Sequence, residues 1–179
     1  QHSSGTTGLQ KGVALSHGAV FNQLNAYGRS LLLAENDVIV SWLPLYHDMG
    51  LIAGFLMPLL AGIPLIIMSP FDWVRAPYRL LQSVSKYRGT LTWLPNFAYN
   101  FCAQKIRDRH IDGVDLSCLR GIINCSEPVR WESHVAFYER FKGYGLKFEA
   151  LQTSYSMAEN VFGVTQSKLG TAPVVEEID

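Results

Sequence analysis

The chain has 179 residues, 48% hydrophobic and 17% charged, with basic and acidic side chains balancing to a formal net charge of zero. That length suits one core-rich domain, the apolar content excludes a disordered chain, and the neutral charge excludes an electrostatic nucleic-acid binder. Cys102, Cys118 and Cys125 are odd in number and lack metal-ligand spacing, so they read as reduced, buried thiols of an intracellular, cytoplasmic protein.

The first element in chain order is a loop. Ser3-Ser4-Gly5-Thr6-Thr7-Gly8-Leu9-Gln10-Lys11-Gly12 packs four hydroxyls, three glycines and a lysine into ten residues. Glycine opens backbone conformations closed to other residues and exposes N–H groups at close range. Successive N–H groups in such a turn make an anion-binding concavity, to which Lys11 adds a mobile positive charge suited to polyphosphate. A flexible linker is the plain alternative, but linkers rarely end in Lys-Gly before an apolar Val13-Ala14-Leu15. A Walker A loop needs glycine directly before the lysine, and Gln10 stands there. No signal peptide is visible, because the chain opens on this loop.

Ser16 is the N-cap of a helix through about Leu32. Val38–Trp42 reads as a strand and Asp48–Ala61 as a helix. Gly62-Ile63-Pro64 carries helix-stop chemistry before a strand at Leu65–Met68. Met49 to Phe71 holds no charge and has to be weighed as a membrane span, yet three prolines and three glycines favour helix, tight turn and buried strand. A helix follows over Ala76–Lys86, then a strand at Thr90–Leu94, a helix at Phe97–Arg109, a strand at Leu119–Asn124, a helix at Glu132–Phe141 and a strand at Phe148–Leu151. Strands separated by helices of this length imply right-handed βαβ units. The expected fold is therefore α/β, a mostly parallel sheet with helices on both faces. Ligands of such sheets sit where strands end and loops begin.

Three further motifs fall at such ends. Pro44-Leu45-Tyr46-His47-Asp48-Met49-Gly50 follows the Val38–Trp42 strand, where a His-Asp pair positions a carboxylate or serves as acid and base; Asp48 as a plain N-cap is the alternative. Asn124-Cys125-Ser126-Glu127-Pro128 leaves room for a planar ring against backbone. Tyr155-Ser156-Met157-Ala158-Glu159 sets an aromatic that stacks on a purine four residues before a carboxylate that holds Mg²⁺; a helix start is the alternative. Trp93, Phe97, Tyr99 and Phe101 read as core rather than as acyl-pocket lining.

On these residues the chain resembles the adenylate-forming, AMP-binding enzymes, most closely the fatty acyl-AMP ligase and acyl-CoA synthetase branch. The first loop resembles their phosphate signature, with Gln10 where proline is common. The Tyr46-His47-Asp48-Met49-Gly50-Leu51 run and Ala158 in place of the more frequent threonine are similar to fatty acyl-AMP ligases, as is the segment from Arg75 to Cys102. The resemblance implies ATP-dependent activation of a fatty acid to an acyl-adenylate with release of pyrophosphate. The acceptor would be an acyl carrier protein thiol or CoA; a nucleotide-binding fragment without turnover is the other reading. By the same resemblance Ser4, Gly5, Thr6, Thr7, Gly8 and Lys11 hold the phosphates, and His47 lies beside the acyl carboxylate. Asn124, Ser126 and Glu127 form the adenine-side loop. Tyr155 stacks on adenine with Ser156, Met157 and Ala158 around the α-phosphate, and Glu159 holds Mg²⁺. Residues 1–179 then correspond to part of an AMP-binding domain, without its upstream part and its C-terminal lid domain. Neither nucleic acid nor stable membrane insertion is expected.

Overall fold

The computed structural model describes residues 1–3 and 11–176. Ser4, Gly5, Thr6, Thr7 and Gly8, the residues expected to hold phosphates, lie outside the described residues. The sheet is built on the parallel series β1 (Ile39–Ser41), β2 (Leu65–Ile67), β3 (Leu91–Leu94), β4 (Gly121–Asn124) and β5 (Leu151–Ser156), with β6 (Gly163–Gln166) antiparallel to β5. The strand order is β2-β1-β3-β4-β5-β6. Strands β1, β3 and β4 are buried along their whole length, as sheet covered on both faces requires.

The chain steps from β1 to β2 in one direction and from β2 past β1 to β3 in the other. Right-handed crossovers then place the helix after β1 on one face and those after β2, β3 and β4 on the opposite face. The first face also carries α1 (His17–Ser30), whose Tyr27 hydroxyl donates to Gln166 Oε1 at 2.8 Å and accepts from Trp93 Nε1 at 2.9 Å. The other face carries α3 (Pro70–Arg75), α4 (Tyr78–Tyr87), α5 (Asn96–Lys105) and α6 (Trp131–Phe141). Reversal of direction between β1 and β3 opens a crevice beyond their carboxyl ends.

Local chemistry accounts for most element ends. Ser16 caps α1 as expected, its Oγ accepting from Ala19 N at 3.1 Å. Gly62, at φ 69°, closes α2 (Met57–Ala61) in the left-handed region that glycine enters freely. The expected Asp48–Ala61 helix forms, but its first part, Met49–Leu56, is wound as a π-helix. There a Cβ on Gly50 would stand 2.2 Å from the Pro44 carbonyl oxygen, so only glycine lets this turn press against the chain leaving β1.

Two expectations need correction, and two elements went unread. Phe148–Ala150 is a 3-10 turn and the strand runs instead from Leu151 to Ser156. Tyr155 and Ser156 therefore end a strand rather than begin a helix. The helix expected to reach Arg109 stops at Lys105, because Ile106 is extended and a separate 3-10 turn covers Asp108–His110. Helix α3 was not anticipated from Pro70-Phe71-Asp72; Ser69 caps it, and its Trp73 ring stacks on Trp42 with centroids 3.7 Å apart. Strand β6 was also not anticipated, being short and half exposed, with no apolar run to announce it. Among the described residues no helix is long and apolar enough to cross a membrane.

Candidate active site

The expected motifs meet along the carboxyl edge of the sheet. After β1, Asp48 is buried and accepts from Met49 N at 2.7 Å, while His47 Nδ1 lies 2.8 Å from the same Asp48 oxygen. Asp48 thus both caps the π-helix and orients the half-exposed imidazole. The N-cap that the sequence offered as the plain alternative is therefore present, and the same carboxylate also contacts His47.

After β4, Asn124 is fully buried and its amide nitrogen has two acceptors, Asn96 Oδ1 at 3.1 Å and His134 Nε2 at 3.0 Å. Glu127 accepts from Phe97 N at 2.9 Å, which puts a carboxylate on the first turn of α5. Both side chains hold the loop, in which Cys125 is fully buried, Ser126 half-buried and Glu127 exposed. Ser126 sits at φ 72°, a conformation that costs a non-glycine residue on the order of 1 kcal/mol.

Neighbouring loops are stitched to this turn. Cys125 Sγ donates to Ser156 Oγ at 3.1 Å, and Ser126 Oγ lies 3.6 Å from Met49 Sδ. Burial pushes the Cys125 thiol above its ordinary pKa, against the opposing bond to Ser156, so it is a neutral packing group rather than a nucleophile. At the end of β5, Tyr155 is 58% exposed, enough of a free face for a ring to stack on. Ala158 is buried and Glu159 exposed in the 3-10 turn Ala158–Asn160. Val161 follows at φ 68°, a second left-handed residue beside the site.

The ends of the glycine-rich first loop are anchored on that turn. His2 pairs with Gly12, Ser3 N donates to Lys11 O at 2.9 Å, and Lys11 N donates to Ser3 Oγ at 3.0 Å. Gln1 Nε2 donates to Ala158 O at 2.8 Å and to Val161 O at 2.6 Å. The base of the loop, with Lys11 exposed, therefore rests against the segment that carries Glu159. His134 and Gln1 were not singled out from the sequence, and Met49 and Asn96 lay within motifs without a role of their own. For His134 a signal was present: with Phe137 and Phe141 it falls at helical spacing on the buried stripe of α6, where a histidine needs a partner.

A family model described as AMP-binding enzyme matches residues 1–177. The medium-chain-fatty-acid–[acyl-carrier-protein] ligase TtuA of Teredinibacter turnerae is 35% identical over the whole chain, which spans 28% of that protein. The long-chain-fatty-acid–AMP ligase FadD26 of Mycobacterium marinum is 32% identical, and the chain spans 32% of it. Among solved structures, the fatty acyl-adenylate ligase of Legionella pneumophila in complex with acyl adenylate and pyrophosphate superposes with a TM-score of 0.92 at 40% identity, covering 96% of this chain and 30% of that one. With a family model matched almost end to end, the chain belongs to the AMP-binding enzyme family.

Proposed function

We propose that this chain is the nucleotide-binding part of a longer ligase, one that activates a fatty acid with ATP and passes the acyl group to a carrier-protein thiol. A carboxylate oxygen attacks the α-phosphorus, the bond to the bridging oxygen breaks, and pyrophosphate leaves with both electrons of that bond. Carboxylate is a weak nucleophile and the transition state gathers negative charge, so orientation and electrostatics carry the step. Lys11 and the glycine-rich loop receive the β- and γ-phosphates, Tyr155 and the Asn124–Glu127 turn at Ser126 receive adenine, and His47 stands beside the acyl carboxylate.

Mg²⁺ fits the residues present. Among the described residues no group of three or more metal-ligating side chains gathers. One exposed carboxylate, Glu159, beside the phosphate loop matches an ion that takes one or two protein ligands and fills its shell with phosphate oxygens and water. When bound, the ion neutralises charge on the phosphates.

The observation that carries this reading is the likeness to a ligase with acyl adenylate and pyrophosphate bound, over 96% of the chain. The name of TtuA, a carrier-protein ligase, favours the carrier thiol over CoA as acceptor. Three unpaired thiols suit a cytoplasmic setting. The test is pyrophosphate release by the full-length enzyme with lauric acid and ATP, followed by acyl transfer to carrier protein or to CoA. Release with transfer to the carrier alone supports the proposal. Transfer to CoA alone overturns the acceptor, and no lauric-acid-dependent release overturns the activation itself.

A further inference from the structure

Behind the turn that leaves β4, three elements meet on one buried amide. Arg130 N donates to Asn96 Oδ1 at 3.0 Å, so Asn96 presents an oxygen at that point. The atom of Asn124 that faces this oxygen must then be its nitrogen, since the flipped amide would set two carbonyl oxygens face to face. The same nitrogen lies 3.0 Å from His134 Nε2, which must therefore accept and carry no proton. Burial agrees, holding the imidazole pKa down to about 4. Tyr99 lies against the ring with centroids 4.9 Å apart and donates its hydroxyl to Ile122 O on β4 at 3.0 Å. Asn124 Oδ1 has no partner among the described residues. Its two acceptors, Asn96 and His134, therefore set the amide's orientation.

We propose that His134 is a positioning residue for nucleotide binding, its Nε2 holding the Asn124 amide so that the turn at Ser126 keeps the shape that receives the base. It acts through Asn124 and touches no ligand, being 1% exposed beneath the strand end. The inference rests on the nucleotide site proposed above. The turn needs such an anchor because Ser126 is held in a left-handed conformation that relaxes once the support is gone. Without the imidazole, one Asn124 N–H is buried with no acceptor, and the amide swings to find another, carrying Cys125 with it.

The test is steady-state kinetics of the full-length enzyme, separating KM for ATP from KM for the fatty acid. His134→Leu keeps the volume and removes the acceptor. It raises KM for ATP on the order of tenfold, while KM for the fatty acid stays within about twofold. His134→Gln places an amide oxygen near the Nε2 position and restores most of the ATP affinity. If His134→Leu does not fold, His134→Asn, whose shorter amide does not reach Asn124, takes its place with the same expected selectivity. Equal KM for ATP in the wild type and the Leu or Asn variant overturns the proposal, as does an equal rise in both KM values or a failure of Gln to rescue. A wild-type enzyme that neither binds ATP nor releases pyrophosphate contradicts the proposed function itself, and the His134 proposal falls with it.

Discussion

Lys11 and Glu159 are the two charged side chains on which the proposed chemistry leans most. A charge-assisted contact to phosphate contributes roughly 1.5–3 kcal/mol, so Lys11→Ala in the full-length enzyme should lower fatty-acid-dependent pyrophosphate release about tenfold to a hundredfold. Unchanged release in a folded variant would reduce the first loop to a linker. Glu159→Gln conserves shape while removing a hard anionic ligand, so the Mg²⁺ concentration for half-maximal rate should rise; a superimposable Mg²⁺ titration would leave Glu159 a surface charge. His134 supplies a pH signature in stability. Burial lowers its pKa from 6.5 to about 4, so between those values the unfolded chain binds a proton that the folded chain refuses. Stability therefore falls as pH drops through that window, by on the order of 3 kcal/mol in all. Denaturant titrations across the window should show this slope in the wild type and lose it in His134→Gln. At this scale Lys11, His47, Tyr155 and Glu159 stood out as chemically distinctive side chains, and the structure sets them at or just beyond strand ends and loop bases. The inward duties of Asn124 and Glu127 were not legible, because their partners, Asn96, His134 and the α5 N-terminus, lie 10 to 30 residues away in sequence.

Among the elements, the π-helix Met49–Leu56 is the one whose form bears most directly on the site. It starts one residue after His47-Asp48 and carries Met49 to Ser126, and its tight approach to the chain leaving β1 depends on Gly50. In Gly50→Ala the new methyl would stand 2.2 Å from the Pro44 oxygen and 2.9 Å from its carbonyl carbon, both rigid backbone atoms. Such overpacking should cost about 3 kcal/mol or more, read as a lowered thermal midpoint with the His47 loop displaced; an unchanged midpoint would mean that this turn has slack. The alternation of apolar runs and amphipathic stretches made β1 to β4 and α1, α4 and α6 readable to within a few residues, since burial on both faces leaves a strong signature in composition. Other features escaped for identifiable reasons. The π winding of Met49–Leu56 has no signature in helix propensity, and the close approach of Gly50 to Pro44 and of Gly54 to Ser41 is a tertiary contact that the local sequence does not announce. Strand β6 owes its existence to pairing with β5, and the shift of β5 from Phe148–Leu151 to Leu151–Ser156 follows the same pairing and its parallel register with β4.

For the molecule as a whole, the parallel sheet and its switch between β1 and β3 bring motifs from residues 1 to 161 to one edge. The opposite concern is the surface left bare. Between α1 and α2 runs an open groove of about 450 Å³ whose lining includes Phe21, Leu24, Leu32, Met57 and Leu60; Phe21 is 51% and Leu32 68% exposed. With no net charge to keep copies apart, residues 1–179 expressed alone should self-associate as concentration rises. Light scattering after size exclusion checks this, and Leu32→Lys with Leu60→Lys should return the chain to a monomer; a wild-type monomer at all concentrations would contradict it. The central claim is that a fatty-acid carboxylate attacks the α-phosphorus of ATP. It is tested most directly by giving the full-length enzyme a fatty acid labelled with ¹⁸O in both carboxylate oxygens and locating the label after the acyl group has been transferred. The account predicts one ¹⁸O in AMP and none in pyrophosphate. Label in pyrophosphate or phosphate, or ADP as the nucleotide product, would contradict it.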